Sequence, residues 1–275
     1  MRAALFQSCT GIDPEANARA LVDAVGQAAA GGADMLFTPE MSGLLDRDRS
    51  RAADRLSDEA HDRVLAAVRD AAAKAGIWVH LGSLALAGER RDGRLVNRGF
   101  LIDDAGAVRA RYDKIHLFDV DLPTGESWRE SAAYAPGGQA VVADTPWGRM
   151  GLSICYDLRF PDLFRSLSDA GAVILSVPAA FTVPTGRAHW HVLLRARAIE
   201  AGAFVIAAAQ AGAHEDGRAT YGHSLAIDPW GDVLLDMGGG NGVGFADLDL
   251  QRVTDVRSRI PLLSHRRPIA PAILA

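Results

Sequence analysis

The chain has 275 residues, with 29 Lys plus Arg against 34 Asp plus Glu, a formal charge of −5. Hydrophobic residues make up 49% and charged residues 23%, a globular balance that excludes a disordered chain and leaves no basic footprint for nucleic acid. No apolar run reaches the ~18 residues of a membrane-spanning helix, and Met1 to Thr10 does not read as a signal peptide.

Taken in chain order, residues 2–8 read as a strand with an apolar body. Asp13 stands as N-cap before Pro14, so a helix is expected over 14–30, ended by Gly31 and Gly32. The short apolar run 35–37 suits a buried parallel strand. A second helix spans 58–75, closed by Gly76, and a strand follows at 77–84. Residues 94–102 and 107–112 form a hairpin around 103–106. Further on come a strand at 149–154, a helix at 163–170 and a strand at 172–177. A helix at 188–201 and strands at 204–209, 224–227 and 232–236 complete the pattern. Helices alternating with strands imply α/β layers. No repeat or linker divides the chain, so one domain is expected over 1–275, with 261–275 a proline-rich arm packed on another surface. Cys9 and Cys155 are the only cysteines, which argues against a disulfide scaffold and excludes a four-thiolate zinc site. The expectation is a soluble cytoplasmic protein with reduced thiols.

Three strand ends carry reactive groups. Cys155 follows the apolar run 151–154 and is itself followed by Asp157 and Arg159. It is either a core cysteine or a nucleophile exposed by a sharp turn, since sites in α/β folds cluster at the carboxyl ends of strands. Glu40 ends the run FTPE. It is either a loop carboxylate or a buried acid–base group whose pKa burial raises. Lys114 lies in YDKIH at the end of the hairpin. It is either a solvated lysine or a cation that stabilises an oxyanion.

The segments FTPE, YDKIHLFDVDLP, ICYDLRFPDL and AFTVPTGRAHWHVLLRARAIE resemble those of the nitrilase superfamily of carbon–nitrogen hydrolases. The resemblance covers nearly the whole chain, to about HRRP at 265–268. It implies a four-layer αββα sandwich and a Glu–Lys–Cys triad. Glu40 would be general base and acid, Lys114 the oxyanion stabiliser and Cys155 the nucleophile. A second glutamate orients the triad in such enzymes, and Glu130 fits that place better than Glu126. The backbone N–H of Tyr156 would share the oxyanion with Lys114. The implied reaction releases a carboxylic acid and ammonia from an amide through a thioester, with no metal or organic cofactor. A homo-oligomer is also implied.

Within the superfamily, RESAAYAPG, AAAQAGAHEDGRATYGHSLAIDPWG and the terminal HRRP resemble a branch acting on keto-acid amides that bear carboxylates. Omega-amidases, which act on α-ketoglutaramate, share CYD-x-RF but resemble the later segments less. Arg159 either pairs with a substrate carboxylate or forms a salt bridge with Asp157 or Asp162. Phe181 and Thr182 are expected to line the pocket. Two other patterns carry less. GHSLA around Ser224, with Asp247 and His265 downstream, approximates a serine-hydrolase elbow, but 229–231 breaks the chain where a helix should run. His189 and His191 flank Trp190, and residues two apart do not share a helix face, so no metal site is expected there. A non-catalytic binding protein on this fold is the distant alternative, against which the intact triad argues.

Overall fold

The computed structural model describes residues 1–87, 93–121, 125 and 127–274. In its first part β1 (Arg2–Gln7), α1 (Pro14–Ala30), β2 (Met35–Phe37), α2 (Arg49–Ala53), α3 (Arg63–Ala75), β3 (Trp78–Ala87), β4 (Leu95–Ile102) and β5 (Val108–Asp113) follow one another. A small hairpin of β6 (Asp119–Asp121) and β7 (Ser127–Arg129) leads to β8 (Val141–Thr145), β9 (Gly148–Leu152), α4 (Pro161–Asp169), β10 (Ile174–Ser176), α5 (Val183–Ala201) and β11 (Phe204–Ala207). A second small hairpin, β12 (Ala211–Ala213) and β13 (Ala219–Tyr221), precedes β14 (Leu225–Ile227), β15 (Val233–Asp236), β16 (Gly242–Asp247), α6 (Gln251–Arg259) and α7 (Leu262–His265).

The large strands form two six-stranded sheets with matching plans. One has the order β16-β1-β2-β3-β4-β5, the other β15-β14-β11-β10-β9-β8. In each, three central strands are parallel and the flanking ones antiparallel. Period-two alternation sets the layers. Ala3, Leu5, Met35 and Phe37 enter the core shared with Met150, Leu152 and Leu175 of the second sheet. Ala4, Leu36, Val79 and Leu81 face the other way, onto Leu21 and Val25 of α1 and Val64 and Val68 of α3. Leu163, Phe164 and Leu167 of α4, with Trp190, Leu194 and Ala198 of α5, cover the far face of the second sheet. Helix, sheet, sheet and helix make the four-layer αββα sandwich.

Several boundaries differ from the sequence reading, each for a local reason. α3 starts at Arg63, not 58, because Asp62 caps it, accepting from Leu65 N at 2.7 Å, while Asp58 folds onto His61. α4 and α5 start earlier than expected, each with a proline in its first turn. Strands β6, β7, β8, β12, β13 and β16 and helices α2 and α6 were not legible, since most of them are short and half-exposed with little periodicity. Arg197 is buried and salt-bridged: its guanidinium donates to Leu158 O and to Glu200, with the ring of Phe164 beside it. The arm runs over α4 and α5, where Arg266 donates to Ser168 and Asp169 and to the carbonyl of Glu200.

The parallel strands point their carboxyl ends the same way. One close approach there requires glycine. A Cβ on Gly82 would stand 2.1 Å from Thr38 O and 2.6 Å from Pro178 Cβ. Its absence lets the loop after β2 and the segment after β10 meet over β3.

Candidate active site

Cys155 begins a short 3-10 helix (Cys155–Arg159) just after β9, with φ of +50°. A non-glycine residue in the left-handed region costs roughly 1–2 kcal/mol and persists only where neighbours over-determine it. Here Asp157 does so. Its Oδ2 accepts from Ile154 N at 2.9 Å and from Tyr112 OH at 2.7 Å, and its Oδ1 from His116 N at 3.0 Å. Cys155 N in turn donates to Pro178 O at 2.9 Å. The His116 ring stacks on Phe160 at 3.6 Å, closing the turn from the other side. Asp157 is fully buried. The sequence shows it only as a charge near a cysteine, and nothing local reveals partners that lie 41 and 45 residues away.

Glu40 leaves β2 and reaches the same point from the first sheet. Its Oε1 accepts from Lys114 Nζ at 2.8 Å and Asn97 Nδ2 at 2.9 Å, and its Oε2 accepts from Ala180 N at 3.0 Å. Lys114 follows β5 and also donates to both oxygens of Glu130, at 3.0 and 2.9 Å. Glu130 is fixed by Phe118 N at 2.7 Å. Lys114 is 2% exposed. Burial alone would depress its ammonium, but the Glu130 and Glu40 carboxylates more than offset this and hold it well above the usual lysine range. Burial pushes the Cys155 thiol up, the Glu40 carboxylate adds to that, and Lys114 opposes it. The net result is a thiol well above its usual range, neutral until a base acts on it. Asn97, not singled out in the sequence, touches both glutamates; it stands beside Arg98 in the strand LVNRGFLI, so its polarity alone did not mark it.

These groups share a cavity of about 910 Å³ lined by Glu40, Lys114, Glu130, Cys155 and Tyr156. Phe181 and Thr182 line it as expected, Phe181 packed on Trp190 with ring centroids 4.7 Å apart. Arg159 does not line it. Its guanidinium lies 3.3 Å from His189 Nδ1 and beside the rings of Tyr156 and Phe181. Among the described residues it pairs with neither Asp157 nor Asp162, because Asp157 is already saturated by the turn. Arg47, Trp128 and Arg218 line the cavity and were missed. Glu126 lies outside the described residues.

Ser224 is fully buried; it accepts from Ala209 N and donates to Gln7 Oε1, and β14 follows it rather than a helix. His189 and His191 diverge, the latter meeting Asp236 Oδ2 at 3.0 Å. Among the described residues His191, His223 and Asp236 form the one group with ligand atoms within 4.8 Å. Asp236 already bonds both imidazoles there. No helix among the described residues is long and apolar enough to cross a membrane.

Comparison with known proteins accords with this arrangement. Residues 2–258 match the carbon–nitrogen hydrolase family. The chain is 38% identical over 273 residues to the deaminated glutathione amidase of Yersinia enterocolitica, covering 98% of this chain and 94% of that one. It superposes on the Caenorhabditis elegans NitFhit protein with a TM-score of 0.90 at 39% identity, covering 97% of this chain and 65% of that one. A Glu→Gln variant of the Nesterenkonia amidase, caught with acrylamide added to its active-site cysteine, matches with a TM-score of 0.78 at 29% identity, covering 95% and 98%. With the match reaching from β1 into α6 and an active-site cysteine in a solved relative, this chain belongs to the carbon–nitrogen hydrolase family and is a thiol-dependent amidase of the nitrilase superfamily.

Proposed function

We propose that Cys155 is the nucleophile, Glu40 the general base and acid, and Lys114 the oxyanion stabiliser, with Glu130 positioning Lys114. The observation that carries this is the single ammonium held between two carboxylates beside a buried thiol in one cavity. Glu40 takes the thiol proton as sulfur bonds to the amide carbon. The new oxyanion is held by Lys114 and by the Tyr156 N–H, which sits in the first turn of its helix, where backbone donors lack intrahelical acceptors. Glu40 returns the proton to the departing nitrogen, the carbon–nitrogen bond breaks and a thioester remains. Water then gives a proton to Glu40 and adds to the thioester, and sulfur leaves with that proton. Every step uses residues of the chain itself. Phe181 and Thr182 contact the substrate.

The substrate class is a keto-acid amide bearing carboxylates, and deaminated glutathione is the preferred member. The identity and coverage of the Yersinia relative support this. α-Ketoglutaramate is the alternative. Ammonia leaves from the latter, a primary amide. The dipeptide amine leaves from the former, so the expectation of ammonia applies to α-ketoglutaramate alone. The chain is one domain over 1–275 that assembles as a homo-oligomer in the cytoplasm, with the arm 261–275 as a contact. The free thiols of Cys9 and Cys155 fit a reducing compartment.

The test follows release of the shared keto-acid product from both substrates by the wild type and by Cys155→Ala. Activity in the wild type that falls at least about 1,000-fold in the variant supports the thiol mechanism, and the faster substrate fixes the preference. A folded wild type inert towards both overturns the substrate class. An active Cys155→Ala protein overturns the assignment of the nucleophile.

A further inference from the structure

Trp128, on β7 at the cavity wall, is approached by two guanidiniums. Arg47 Cζ lies 5.6 Å and Arg218 Cζ 5.2 Å from its ring. The two arginines come from separate segments, the loop before α2 and the turn between β12 and β13. Asp216, whose side chain is buried, grips Arg218 through Nε and Nη2, both at 2.6 Å. That grip leaves Nη1 without a partner among the described residues. Arg47 is exposed and forms no ion pair among them. The indole Nε1 of Trp128 is buried and also lacks a partner. The cavity wall thus carries one guanidinium without an ion pair among the described residues and a second whose charge Asp216 balances but whose Nη1 stays open to a ligand.

The cavity's other end has the opposite character. There Glu40 and Glu130 surround the lone Lys114 beside a neutral thiol. An anionic group is repelled from that floor and attracted to the exposed arginine end, so a ligand with an amide and a distant carboxylate enters in one orientation. Deaminated glutathione has a carboxylate on its keto-acid half and another at the glycine end of its leaving half. The glycine carboxylate lies further from the scissile carbon. α-Ketoglutaramate has the keto-acid carboxylate only.

We propose that Arg47, Trp128 and Arg218 form a subsite for the carboxylate on the leaving-amine half of the substrate, and that this subsite selects the longer amide. The inference rests on the substrate reading above and deepens it. Guanidiniums suit the task because they meet a carboxylate through paired, charge-assisted hydrogen bonds, and the Trp128 ring holds the two of them at the cavity wall.

The experiment compares the wild type, Arg47→Ala and Arg218→Ala on three substrates. These are deaminated glutathione, its analogue with the glycine carboxylate converted to a carboxamide, and α-ketoglutaramate. Release of the common keto-acid product is measured. The expected result is a fall of about tenfold to fiftyfold in the kcat/KM ratio of deaminated glutathione to α-ketoglutaramate in each variant, mostly through KM. The wild type should lose as much on the carboxamide analogue, and the variants little more. Arg47 is exposed, so its substitution tests the subsite without threatening the fold. An unchanged ratio, or variants that still discriminate against the carboxamide as the wild type does, overturns the subsite. A wild type inert towards both natural amides overturns the substrate reading and the subsite with it, and is told apart by that inactivity.

Discussion

Two carboxylates, Glu40 and Glu130, share one buried ammonium. Removing one partner of such a buried cluster leaves like charges facing each other without compensation, which typically costs about 3–5 kcal/mol. Lys114→Met should therefore lower the unfolding free energy by roughly that amount in urea denaturation, and should abolish activity. A solvated lysine at a strand end, the other reading open from sequence, would cost under about 0.5 kcal/mol. The two outcomes are well separated. At this scale the three reactive residues were legible because each stands in a run whose order and residue types carry the family resemblance. Asn97 and Asp157 were not, because most of their partners are distant in the chain.

At the scale of elements, the turn after β9 depends on Asp157. Its four side-chain contacts fix Ile154, Tyr112 and both the backbone and the ring of His116, and hold Cys155 at positive φ. Asp157→Ala removes all four and should cost about 3 kcal/mol or more, since hydrogen bonds to charged groups are worth roughly 1.5–3 kcal/mol each. It should also slow modification of Cys155 by an alkylating amide although it touches no substrate. Tyr112→Phe removes one contact and should cost about 1–2 kcal/mol by thermal unfolding. If the two variants behave alike, the carboxylate is not the organiser of the turn. Sequence reading found the strand and the cysteine at its end. It did not find the short helix, whose geometry is set from β5 and from the segment after β10.

For the whole molecule, the stacking of the two sheets has a pH signature. His80 of β3 is buried between them, its Nε2 3.3 Å from Ser176 Oγ of β10. Burial pushes its pKa down to about 3. In the unfolded chain it is about 6.5. Between those values the unfolded state binds the extra proton, so this stabilisation is complete above about pH 6.5 and is lost as the pH falls. From pH 7 to pH 5 the wild type should lose about 2 kcal/mol through this group. His80→Asn should show a slope shallower by that amount in urea titrations at the two pH values. Equal slopes would mean that water reaches the imidazole between the sheets.

The sequence by itself determined the alternation of strands and helices, the caps of α1 and the three reactive side chains with their order along the chain. Those features are local: a periodicity, a capping residue, a motif of a few neighbours. The tertiary structure alone decided that β2, β5 and β9 bring Glu40, Lys114 and Cys155 to one cavity. It alone placed Arg159 against His189, beside the cavity-lining rings of Tyr156 and Phe181, and set Arg47 and Arg218 about Trp128. Charge pairing, burial and close approach are properties of distance in space, and the chain reaches those distances only when its two sheets pack face to face.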